Sequence, residues 1–150
     1  MIDRADLLSR EQEGWRALCE QFDRVGPARF EEPTLTPDGW SPKDAMFHVA
    51  GWMADCAEQL DRMRAGSFEE PEETRESIER QNLAWFEVSR AMDPDDVRSA
   101  FETARRDMVA AFEALQDLDG PAVEWFEESG ALHYAKHIGD LRGFLGGSDP

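Results

Sequence analysis

Apolar residues along this chain recur at steps of three, four and seven, and strand-like alternation is nearly absent, so the pattern predicts helices throughout. Over residues 3–25, Leu8, Trp15, Leu18, Cys19, Phe22 and Val25 form one stripe, and Gly26-Pro27 stops the helix. Residues 26–40, with their prolines, glycines, Thr34, Thr36 and Asp38, read as a loop long enough to line or cover a site. A second helix opens at Ser41-Pro42-Lys43-Asp44. Ser41 caps it, Pro42 suits the first helical position, and Asp44 closes a capping box. Its stripe runs through Ala45, Val49, Trp52, Met53, Cys56, Leu60 and Met63 to a stop at Gly66.

Residues 67–73, acidic and interrupted by Pro71, predict a connector. A third helix then carries Ile78, Asn82, Trp85, Phe86, Ser89 and Met92 on one face. Asp93-Pro94-Asp95-Asp96 repeats the start signal of Ser41 and opens a fourth, with Val97, Phe101, Ala104, Met108, Ala111, Phe112 and Leu115 inward. Asp119-Gly120-Pro121 breaks it, and residues 122–128 predict a short connector bearing Trp125 and Phe126. The last helix covers about 129–145, with Tyr134, Ile138, Leu141 and Leu145 inward, and residues 146–150 are a tail. The sum is one all-α domain over 1–150, an up-and-down four-helix bundle whose third arm is interrupted at Asp93-Pro94.

Composition narrows the function. Hydrophobic residues make up 41% and charged residues 33%, a balance that supports a packed core. The net charge of −17 excludes the basic face that nucleic acid needs and disfavours anionic membrane surfaces, while raising the local concentration of cations. Met1 to Arg10 has no apolar core of a signal peptide, and no window approaches a membrane span. Cys19 and Cys56, both on apolar faces, read as reduced core residues, and a cytoplasmic location is expected.

The candidate chemistry lies in the three histidines. His133 and His137 are one helical turn apart and face the same way, and His48 lies on the second helix near the edge of its stripe. All three border the core, where ligands can face inward while a substrate still enters. Three neutral imidazoles with open positions make a catalytic arrangement for zinc, nickel or iron(II). Asp44, Asp55 and Asp140 lie along the same edges as candidate orienting carboxylates, and Asp55 or Asp140 as alternative ligands. Trp52, Asn82, Trp85 and Tyr134 are candidate pocket walls. Each residue also has a structural reading, as a boundary histidine, a solvated charge or plain core.

The stretch Gly39-Trp40-Ser41-Pro42-Lys43-Asp44 with His48-Val49-Ala50-Gly51-Trp52 resembles the second-helix signature of the DinB/YfiT-like superfamily, and His133-Tyr134-Ala135-Lys136-His137 resembles its closing His-x-x-x-His. The resemblance implies a four-helix bundle, often a homodimer, with a divalent metal on His48, His133 and His137. It also implies kinship with mycothiol or bacillithiol S-transferases and the N-terminal domain of mycothiol-dependent maleylpyruvate isomerase. The tyrosine in the closing motif is similar to that of a ClbS/DfsB-like protective branch that need not use a metal. Three expectations follow. The first is a metal-dependent transferase or hydrolase that turns water or a low-molecular-weight thiol on a small electrophile. The second is a non-catalytic stress-response protein holding a small molecule between Trp52, Trp85 and Tyr134. The third is a metal-free hydrolase with His48 or His137 as general base.

Overall fold

Nearly every helix begins where a short polar side chain can receive its free N–H groups. The computed structural model describes residues 3–146, and among them are six helices and no strand. They are α1 (Arg4–Val25), α2 (Pro42–Ala65), α3 (Arg75–Ser89), α4 (Pro94–Glu113), α5 (Gly120–Ser129) and α6 (Ala131–Phe144). Asp3, Ser41, Thr74, Asp93 and Asp119 cap the first five. The Ser41 box forms as its sequence predicts: Ser41 accepts from the Asp44 N–H, and Asp44 accepts from the Ser41 N–H. The chain is thus all-helical. No helix is long and apolar enough to cross a membrane. The predicted tail falls on residues 147–150, outside the described residues, apart from Gly146.

Residues 122–128 are not a connector. They form most of α5, because Asp119-Gly120-Pro121, which stops nothing, starts a helix: Asp119 accepts from the Ala122 N–H at 2.9 Å and Pro121 occupies the first turn. The fourth helix has already ended at Glu113.

Packing centres on α2, which lies most extensively against α4 and also contacts α3, α5 and α6, while α1 packs on α6 and α5 lies against both α2 and α6. Val49, Met53, Cys56 and Leu60 of α2 and Val97, Met108 and Phe112 of α4 are fully buried. Phe112 stacks on Phe126 of α5 at 3.8 Å between centroids, and Trp15 of α1 stacks on Phe101 at 4.4 Å. The turn from α5 into α6 is tight. A Cβ at Gly130 would stand 2.7 Å from the Phe126 carbonyl oxygen, so only glycine passes there.

One polar cluster sits inside this core. The stripe of α1 buries Leu7 and Glu11 as well as Leu18 and Phe22, and Glu11 is 1% exposed. Arg105 of α4 donates to both Glu11 oxygens, at 3.0 and 2.6 Å, and the Tyr134 hydroxyl of α6 donates to Oε2 at 2.8 Å. Three helices are thereby tied at one carboxylate. A charge removed from water is tolerable only when paired in this way, and removing one partner strands the others. Glu11→Ala is expected to lower unfolding free energy by about 3–5 kcal/mol, and Tyr134→Phe, which loses one hydrogen bond, by about 1–2 kcal/mol. Urea denaturation of the two variants measures both, and equal small losses would contradict this account of the cluster.

Candidate metal centre

His48 points from α2 toward α6, where His133 and His137 share a face. The Nε2 atoms of His48 and His133 are 3.1 Å apart, and those of His137 and His133 are 3.0 Å apart. Among the described residues these three side chains are the group whose ligand atoms all lie within 4.8 Å of one another. His48 and His137 are buried, and His133 is partly exposed.

Hydrogen bonding among the rings alone serves this arrangement badly. A neutral imidazole has one N–H and one lone pair. His133 Nε2 faces two other Nε2 atoms, and no Nδ1 atom of the three has a hydrogen-bond partner. His48, His133 and His137 would each offer an Nε2 lone pair to a cation at the point of convergence, with their protons on Nδ1. With bonds of about 2.1 Å, nitrogens at right angles stand about 3.0 Å apart and tetrahedral ones about 3.4 Å. The spacings of 3.1 and 3.0 Å about His133 Nε2 match right-angled pairs. The donor set therefore fits a divalent ion.

Electrostatics agree. His48 is pushed down to about 3, first by burial and then by His133 and Lys136, with the Asn82 side chain opposing. Burial and Lys136 push His133 down to about 4. His137 falls to about 2, by burial first and then by its two neighbours and Lys136. All three rings are neutral at pH 7, as metal ligands must be.

The expected orienting carboxylates separate. Asp140 Oδ2 stands 3.5 Å from His137 Nδ1, on the side from which a carboxylate steadies a ligating ring. Asp44 is engaged elsewhere: its oxygens accept from the Ser41 N–H and hydroxyl, each at 2.9 Å, and from the Ser89 hydroxyl at 2.6 Å. It pins the start of α2 to α3 and reaches His48 only through the backbone. Asp55 is half-buried, accepts a long bond from Gln59 and lies outside the histidine cluster.

The expected pocket residues also separate. The Trp52 indole N–H donates to Asn82 Oδ1 at 2.9 Å, and Trp52 meets Trp85 edge-on at 4.9 Å. Trp85 lies across Gly51, where an added Cβ would come within 2.6 Å of the ring. Tyr134 does not wall a pocket. It is 0% exposed and turned into the core toward Glu11 and Met53, since one residue past His133 is about 100° around the helix.

Three residues near the histidines were not singled out from sequence. Trp40, at the end of the long loop, packs edge-on to His48 at 5.4 Å and stacks on Phe86, so the loop does cover one side of the site. Lys136 supplies the positive charge that disfavours protonation of all three rings. Trp125 shares with Trp52 and His133 a cavity of about 280 Å³. A larger groove of about 1340 Å³, lined by Ala57, Ala111 and Ala122 among others, includes none of the histidines. The thiols of Cys19 and Cys56 are raised to about 11 and about 12, mainly by burial, which makes them poor nucleophiles.

Comparison of the chain with protein-family models, with curated proteins and with solved structures finds no match. The geometry of the histidines therefore carries the functional reading.

Below the ordinary imidazole value of 6.5, the unfolded chain binds protons that the folded, metal-free protein refuses. Stability is therefore expected to fall as pH drops from 7 to 5.5, by about 1 kcal/mol per ring. Asp55, whose carboxyl is raised by burial, works in the opposite sense. Chemical denaturation across this range checks the slope, and His133→Ala should flatten it.

Proposed function

We propose that this chain is a metal-dependent enzyme of the DinB/YfiT-like type. His48, His133 and His137 hold one divalent ion, zinc, nickel or iron(II). The reaction sets water or a low-molecular-weight thiol against a small electrophilic substrate, as a hydrolase or a transferase. The observation that carries this reading is the meeting of three neutral imidazole edges, from α2 and α6, with Nε2 spacings of 3.0 and 3.1 Å. The helix contacts support a four-helix bundle in which α3 and α4 are one interrupted arm and α5 is an insertion before the last helix.

When bound, the ion supplies Lewis acidity that lowers the pKa of a ligated water or thiol. The chain does the rest. Burial keeps the three rings unprotonated. Trp40 closes the His48 side of the site against water. His133, the most accessible of the three, borders the cavity through which a substrate enters. Asp140 favours the His137 tautomer with its proton on Nδ1. The same burial weighs against a metal-free reading, because rings pushed down to about 3 and about 2 are weak general bases at pH 7.

Protein purified without a polyhistidine tag and dialysed against zinc is expected to hold about one equivalent by elemental analysis. His133→Ala should weaken zinc binding at least about 100-fold, with its helical circular dichroism retained. Failure to take up zinc, nickel or iron, or uptake indifferent to His133→Ala, would overturn the proposal.

A further inference from the structure

The cavity beside the histidines has an unusual wall. It is bounded by Trp52, Ile78 and Trp125, by Ser129 and His133, and by four carboxylates, Glu70, Glu73, Glu124 and Glu128. No lysine or arginine lines it. At about 280 Å³ it is at the small end of ligand sites.

Three features separate this wall from the general acidity of the surface. First, the acids do not converge as a metal site does. No three of them bring oxygens within 4.8 Å of one another, so they make a spread negative field instead of a second ion cage. Second, they are interleaved with two aromatic rings held in place. Trp52 donates to Asn82 at 2.9 Å, and the Trp125 indole N–H donates to Glu70 at 3.3 Å, and both indoles line the cavity together with the carboxylates. Carboxylates alternating with indole faces form the chemistry that recognises an organic ammonium group. Third, the cavity is lined by His133, whose buried Nδ1 has no hydrogen-bond partner and whose Nε2 meets those of the buried His48 and His137 behind it. The acidic wall thus leads to a built site. Glu73 shows the strain of the arrangement: although largely exposed, its carboxyl is raised, by partial desolvation first and then by Asp55, Glu70 and Glu128. A cation in the cavity relieves that repulsion.

A bound divalent ion does not reverse the sign. Four formal negative charges against two positive ones leave the cavity at −2. An anionic thiol or carboxylate substrate meets net repulsion along the approach, whereas an amine is drawn in.

Resting on the reading of the histidines as a metal centre, we infer that the substrate is a small organic cation. Its ammonium or amidinium group lies among Trp52, Trp125 and the four glutamates, and its reacting end lies at His133. Of the activities proposed above, this favours those whose small-molecule partners carry no net negative charge.

The test uses three probes of one shape: benzylamine, benzyl alcohol and benzoate. Their binding to the full chain is measured by shifts of the indole N–H resonances, in zinc-loaded and in chelator-treated protein. Benzylamine is expected to bind at least about tenfold more tightly than benzyl alcohol at low salt, with benzoate weakest, and the preference should shrink as salt rises. In the doubly neutralised variant Glu73→Gln/Glu128→Gln, the amine preference should drop to less than about threefold, with alcohol binding and zinc content unchanged. Both glutamates are exposed, so the variant is expected to fold. Benzoate binding as well as benzylamine, or an amine preference unaffected by the double substitution, would overturn the inference. The two readings fail separately. Zinc uptake without amine preference sinks the substrate class alone. Amine preference in a protein that takes up no metal sinks the metal centre alone.

Discussion

Two helices that touch only sparingly, α2 and α6, must bring three imidazole nitrogens to one point. Everything else in the molecule can be understood as support for that meeting. Because the direct contact is small, the alignment is set by other elements. Helix α5 packs on both α2 and α6 and turns into α6 at Gly130, where a side chain would strike the Phe126 carbonyl. Helix α1 lies along α6 and holds its rotation through Glu11 and the Tyr134 hydroxyl. His133 and Tyr134 are neighbours, so a phenol locked into the core turns the imidazole beside it toward α2. The Asp44 carboxylate does the corresponding work for α2, joining its first turn to Ser89.

Burial shapes the chemistry of the site as well as its geometry. A surface imidazole spends part of its time protonated near neutral pH, and a proton competes with a metal. Here removal from water and a nearby lysine hold all three rings neutral. The cost is an array of ring nitrogens that the protein alone leaves poorly paired, which is the feature a cation resolves. The cavity beside His133 carries the opposite electrostatic character, with carboxylates facing solvent. A neutral, buried ligand set and an anionic entrance are compatible because the glutamates stand apart from the point where the nitrogens converge.

Much of the helical arrangement was legible in the sequence. The box at Ser41-Pro42-Lys43-Asp44 states the start of α2 through local chemistry, and an i, i+4 histidine pair states a shared face. The meeting of His48 with that pair was also legible, because all three residues sit at comparable stripe edges. What escaped has identifiable causes. Asp119-Gly120-Pro121 reads equally as a stop and as a cap, so α5 looked like a connector. Glu11 is buried for the sake of partners 94 and 123 residues away, which no local pattern reveals. The glutamates of the cavity were hidden among their kind: in a chain with 33 acidic residues, these four exposed carboxylates look like part of a solvated face. The spacing of Glu124 and Glu128 around Trp125 was the available signal, and it required recognising α5 first. Asp44 shares a helix edge with His48, which suggests a role beside that ring, but the Ser41 cap occupies its Oδ2 and the Ser89 hydroxyl its Oδ1.

The most direct test of this account is X-ray absorption spectroscopy at the zinc edge of the loaded, untagged protein. The account predicts the outer-shell scattering of about three imidazoles around a single ion, with nitrogens at about 2.0–2.1 Å, together with lighter scatterers at open positions. It predicts that His48→Ala removes one ring from that pattern. A spectrum dominated by carboxylate or water oxygen without imidazole scattering, or one unchanged by His48→Ala, would contradict it.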